Sequence, residues 1–232
     1  MTDQHPHVPR TLNHYALYRF TQAYYALPSE KKTDFHRQWL AGLSASSEML
    51  ELYQVSPASA KADILVWSAL TADDTLAAAK FFSAFARATA PYGHLVDMTE
   101  TLWGFTKPSV YSRSRSTQEI DPFKKDRKPY LVLYPFVKTG DWYLMSGDAR
   151  QGMMNEHIKL GKEYPDITQL LLYSVGLQDQ EFVVVYETDD LTRFSDLVYR
   201  LRATEVRRYT ERDTPLYTAV YHPAEETLAL WA

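Results

Sequence analysis

The 232-residue chain contains no cysteine, which excludes disulfides, thiolate metal ligands and a cysteine nucleophile. No apolar run approaches the roughly 20 residues that a membrane-spanning helix requires. The opening residues, MTDQHPHVPRTLNH, lack the apolar core of a secretory signal, so a cytoplasmic location is expected. Positive charge is not in excess either. Lys and Arg number 25 against 29 Asp and Glu, a net charge of −4, and nothing electrostatic points to nucleic acid as a partner. The chain has no GxGxxG, P-loop, HExxH or GxSxG pattern, so the common dinucleotide, phosphate, zinc-protease and serine-hydrolase sites are not expected.

What remains is an ordinary globular composition, 45% hydrophobic and 23% charged, with 17 tyrosines. The length suits one large domain or two small ones. Residues 1–11, with His5 and His7, read as a polar arm. A strand is expected over 12–27, then a helix capped by Ser29 and running to Leu43. Strands near 52–55 and 64–70, a helix opened by Asp73 and Asp74, and a strand over 95–105 follow. Segment 106–128 has no periodicity and carries seven basic residues, so it reads as a linker and surface loop. The sequence of elements then recurs over 129–232: strand 130–137, a helix with His157, strands 167–175 and 181–187, helix 190–203 and strand 214–221.

The letters recur as well. ALPSEKKTDFHRQWL matches YLMSGDARQGMMNEH with Ser29 on Ser146, and ILVWSALTADDTL resembles FVVVYETDDL with Asp74 on Asp190. Two matches at nearly one offset indicate a duplicated βαββαβ unit. Each unit presents one bare sheet face, and packing the two faces together buries both. The expected fold is therefore α+β: two tandem ferredoxin-like units, 12–105 and 129–232, forming a barrel with a pseudo-twofold axis within one chain. His157 falls opposite Leu40, so its role belongs to the second unit alone.

On its helix His157 has Met153 at i−4, Met154 at i−3, Leu160 at i+3 and Gly161 at i+4. Residues three and four apart share a face, so the imidazole projects from an apolar stripe. From the pattern alone it is either a hydrogen-bonded core histidine or the ligand of an iron porphyrin, which needs one neutral imidazole and apolar walls.

The motifs YPFVKTGDWY, MMNEHIKLG, QLLLYSVGLQDQEFVVVYETDDL and LRATEVRRYT, spanning about 134–210, resemble the chlorite dismutase-like haem proteins, which include the coproheme decarboxylases. The resemblance implies His157 as proximal iron ligand and Glu205 as its hydrogen-bonding carboxylate. It implies Lys138 and Trp142 beside the porphyrin, which would be haem b or coproheme. Seven residues before Gly176, where chlorite dismutases carry an arginine, stands Gln169; with Tyr134 in a Tyr-Pro strand this is similar to the decarboxylase branch. That branch implies hydrogen peroxide as oxidant, Tyr134 as redox-active residue and Lys138 assisting at the propionate. The chlorite branch, or a weak peroxidase, implies chlorite or peroxide and the same histidine; a non-catalytic haem-binding protein is the third reading. The resemblance also implies a homopentamer. From charge and position, Arg113, Arg115 and Lys125 are the expected carboxylate clamps.

Overall fold

A computed structural model describes residues 10–111 and 116–232. His5 and His7, and the expected clamps Arg113 and Arg115, lie outside the described residues. The first unit runs β1 (Thr11–Phe20), α1 (Gln22–Tyr25), α2 (Ser29–Ser44), β2 (Met49–Gln54), β3 (Ile64–Thr71), α3 (Ala77–Thr89) and β4 (Val96–Phe105). The second runs β5 (Tyr130–Lys138), α4 (Gly140–Leu144), α5 (Gly147–Gly161), β6 (Thr168–Tyr173), β7 (Phe182–Thr188), α6 (Leu191–Arg202), β8 (Thr210–Arg212) and β9 (Tyr217–Tyr221). Helix α7 (Ala224–Ala229) follows.

Several ends shift for local reasons. The first strand stops at Phe20 because Thr21 turns the chain, its hydroxyl accepting the Tyr24 N–H at 3.3 Å. The aromatic text nevertheless continues, since Tyr24 stacks on Phe20 with centroids 4.2 Å apart. Ser29 is the first residue of α2 and Pro28 occupies the cap position. Its counterpart Ser146 does cap α5, accepting from Ala149 N–H at 3.2 Å. Asp190 caps α6 through Thr192 and Arg193, whereas Asp74 accepts from Leu76 and α3 starts only at Ala77.

Strand order explains the barrel. β4-β1-β3-β2 forms one antiparallel set and β9-β5-β7-β6 the other, the same order repeated. The sets join through very few pairs: Phe105 with Tyr173 at one seam, Tyr53 with Tyr221 and Gln54 with Val220 at the other. At the first seam Gly104 admits the opposite strand, because a Cβ there would lie 2.6 Å from Ser174 Oγ and 2.8 Å from the Tyr173 carbonyl. Inward residues of both sets, among them Tyr15, Leu17, Trp67, Leu131, Leu133, Leu172 and Val185, fill the interior. Outside the first set, α2 and α3 bury Phe35, Trp39, Leu43, Phe81 and Phe85. Outside the second, α6 buries Phe194 and Leu197.

Segment 106–128 is more than a surface loop. Ile120 is buried, and Glu119 bridges Gln169 of β6. Arg127 enters the barrel mouth, where its guanidinium lies 4.6 Å from the centroid of Trp67 and 3.2 Å from Glu187, with side chains 1% and 5% exposed. Removing one member of such a buried pair costs roughly 3–5 kcal/mol.

Candidate functional site

Side chains alternate along a strand, so the residues of β5–β7 that do not enter the barrel share its outer face. Pairing registers set them in rows: Val132, Tyr186 and Gln169; Tyr134, Val184 and Leu171; Phe136, Phe182 and Tyr173. Thus Tyr134 and Gln169, 35 positions apart in the chain, reach one surface. Gln169 is exposed and Leu171 is 37% exposed, so this corner of the sheet is not packed over.

Helix α5 packs against α6 and the turn Glu205–Tyr209, and its His157 lies within the field of Lys138 at the end of this face. The amphipathic face of α5 is weak, and the helix buries no residue fully. His157 is half-buried on this helix, yet its Nδ1 is buried and has no hydrogen-bond partner. Burial, reinforced by the charge of Lys138, lowers its pKa to about 4. The imidazole is therefore neutral near pH 7, with a lone pair available to a metal.

Lys138 closes the lower end of the face. Its ammonium lies 4.5 Å from the centroid of the buried Trp142, 5.7 Å from that of Phe136, and donates to Thr210 Oγ1 at 3.3 Å. Burial and the nearby Arg207 lower its pKa to about 8, against the opposing pull of Glu181. Glu181 accepts the Lys138 backbone N–H at 2.7 Å. Trp142 is delivered by α4, a single turn that follows β5 directly.

Tyr134 is half-buried and stacks on Tyr186, centroids 6.1 Å apart and planes at 27°. Burial raises its pKa well above the phenol range, and the hydrogen bond to Tyr186 raises it further. The phenol accordingly holds its proton across the neutral range.

The structure brings His157, Tyr134, Lys138, Trp142 and Gln169 to one region and separates two other expected residues from them. Glu205 does not bond to His157. It sits in the 3-10 turn Glu205–Tyr209, is exposed, and lies 3.4 Å from Arg208 Nε, an i,i+3 pair that the turn itself favours. Lys125 is exposed at the barrel mouth near Glu51, whose side chain faces the interior rather than the outer surface. Its place in the basic segment gave no hint of which side of the sheet that segment crosses.

Two residues escaped the sequence reading. Gln118 donates its amide to the carbonyls of Gly161 (3.3 Å), Tyr164 (2.8 Å) and Ile167 (3.0 Å), tying the end of the His157 helix to the start of β6. Its backbone carbonyl also accepts the Gln169 N–H at 2.7 Å. Arg150, seven residues before His157, carries a buried Nε without a partner. Only the helical spacing of 150 and 157 was available in the sequence as a signal.

The chlorite dismutase family model matches residues 15–222. The chain belongs to the chlorite dismutase family. A coproheme decarboxylase of Mycolicibacterium smegmatis is 31% identical over 180 residues, 77% of this chain and 75% of that protein. A putative heme-binding protein of Halobacterium salinarum is 33% identical over 127 residues, 47% of this chain but only 25% of its own length. Among solved structures, a mutant chlorite dismutase of Candidatus Nitrospira defluvii superposes with a TM-score of 0.80 at 21% identity, covering 95% of each chain. That likeness fixes the fold. Proteins of this family and the relatives named here are haem or coproheme proteins. The residues present fit such a group: a neutral histidine with an unpartnered buried nitrogen, a loosely seated helix, and a sheet face with apolar and cationic members. No described helix is long and apolar enough to cross a membrane.

Proposed function

We propose that the protein binds coproheme and converts its propionate groups to vinyl groups with hydrogen peroxide, giving haem b. The observation that carries this reading is His157, its buried Nδ1 without a partner, within the field of Lys138 at the end of the sheet face that also bears Tyr134. His157 would ligate the iron, and Trp142 and Phe136 would wall the porphyrin. When bound, the iron porphyrin supplies the oxidising centre that peroxide activates.

The chain's own residues do the rest. Tyr134 gives up its phenolic hydrogen and takes one back from the propionate carbon. Loss of that hydrogen and of carbon dioxide from a propionate is a two-electron oxidation, which hydrogen peroxide, ending as water, would supply through the bound porphyrin. Tyr186, hydrogen-bonded to Tyr134, holds the ring in place. Lys138, with its lowered pKa, meets the propionate as a donor. Gln169 offers an amide and no charge, which suits a neutral oxidant better than an anion such as chlorite.

The test incubates ferric coproheme and peroxide with wild-type protein and with Tyr134→Phe. Chromatography should show haem b only for the wild type, with the Soret band kept in both. Rapid oxygen release from chlorite and no haem b would favour the chlorite reaction. A Soret band without either product would leave a haem-binding protein. A cytoplasmic homopentamer belongs to the same reading, tested by fractionation and by sedimentation at five times the chain mass.

A further inference from the structure

We propose that Arg150 is the carboxylate anchor of this site, taking a propionate of the bound porphyrin; the inference rests on the porphyrin reading above. Seven residues separate Arg150 from His157. At 3.6 residues per turn they share a helix face, about 10 Å apart along the axis. The arginine thus lies on the same half-buried face of α5 as the histidine, two turns nearer the start of the helix.

Among the arginines that are not exposed, its bonding marks it out. Arg37, Arg127, Arg193, Arg200, Arg202, Arg207 and Arg208 all form ion pairs, and Arg19 and Arg212 donate to backbone carbonyls. Arg150 is partly buried and, among the described residues, makes no side-chain hydrogen bond or ion pair. A buried guanidinium N–H without an acceptor costs the desolvation of that group, and a carboxylate is the acceptor whose geometry matches the fork.

The surroundings form a built corner. Gln151 donates to the Tyr111 carbonyl at 3.2 Å, and Tyr111 meets Trp142 edge-on with centroids 6.4 Å apart. Tyr143, whose phenol bonds to Glu181, lies within the field of Arg150. Glu181 is the carboxylate that would repel an incoming anion, but its charge is taken up by the Tyr143 hydroxyl and the Lys138 backbone N–H. Arg150 therefore remains available to an anion from outside the chain. With Lys138 it gives the site two cations at separate points on its rim.

The test titrates full-length wild type, Arg150→Gln and Arg150→Lys with ferric coproporphyrin and with its tetramethyl ester, read by Soret absorbance. Losing a hydrogen bond to a charged group should weaken binding of the free acid by about 10- to 100-fold in Arg150→Gln. Arg150→Lys should recover part of that, and the ester should bind all three proteins alike. Equal losses for acid and ester, or no loss for either, would overturn the anchor while a His157-dependent Soret shift kept the porphyrin reading intact. No Soret shift in the wild type would overturn both.

Discussion

The two copies of the fold differ most where one helix meets its sheet. In the first unit α2 buries Phe35, His36, Trp39 and Leu43, and Trp39 is fully inaccessible. In the second, the positions 117 residues on are Gly152, Met153, Glu156 and Leu160, and α5 buries none of them. The same backbone slot is closed in one half by aromatic side chains and left loose in the other, where the histidine stands. A duplicated fold can thus keep one half as scaffold and free the other for a ligand, by exchanging a few side chains on one helix face.

The largest expected effect tests the closed half. Trp39→Ala should destabilise the protein by about 3–5 kcal/mol in urea unfolding, through lost transfer energy and a cavity. Next comes the tie that holds the loose helix. Gln118→Leu removes the amide donor shared by the Gly161, Tyr164 and Ile167 carbonyls, the first two of which also accept backbone N–H groups, and should cost about 1–3 kcal/mol. Hydrogen exchange should quicken first at Gly161–Ile167, and porphyrin affinity should fall with it. Uniform exchange changes across the chain would count against a local staple.

Acid should separate the halves further. His14 and His36 in the first unit and His157 in the second each have a pKa lowered to about 4, burial being the main cause. Unfolded, each titrates near 6.5, so between pH 6.5 and 4 the unfolded chain binds more protons. Stability is complete above that window and falls as pH drops through it. Urea midpoints measured from pH 7 to 4.5 should decline, and His157→Ala should make the decline shallower. The smallest effect should come from the counterpart of Trp39: Glu156→Ala, on the exposed side of α5, should change stability by less than about 0.5 kcal/mol. A Glu156 effect as large as that of Trp39 would erase the contrast.

Much of this contrast was legible before any coordinates. Duplication showed in two aligned stretches because the units repeat one order of elements, although Ser146 and Asp190 cap their helices whereas Ser29 and Asp74 do not cap theirs. His157, Tyr134, Lys138, Trp142 and Gln169 were picked out by resemblance to family motifs. What the letters did not carry was long-range placement. Barrel closure rests on one pair at one seam and two at the other, too few to leave a periodic trace. Arg127 sits in a run that reads as a solvated surface, yet it is buried by contacts with Trp67 and Glu187, 60 positions away or equally distant in the opposite direction. Glu205 lay close enough in sequence to the expected partner position to be assigned, but a short turn directs it to Arg208 instead.

One absorption measurement tests the central claim that the loose helix supplies an iron ligand. Ferric coproporphyrin added to the wild type should give a shifted Soret band of a histidine-ligated iron, and His157→Ala should lose that shift while remaining folded by circular dichroism. An unaltered spectrum in the alanine variant, at equal porphyrin uptake, would contradict it.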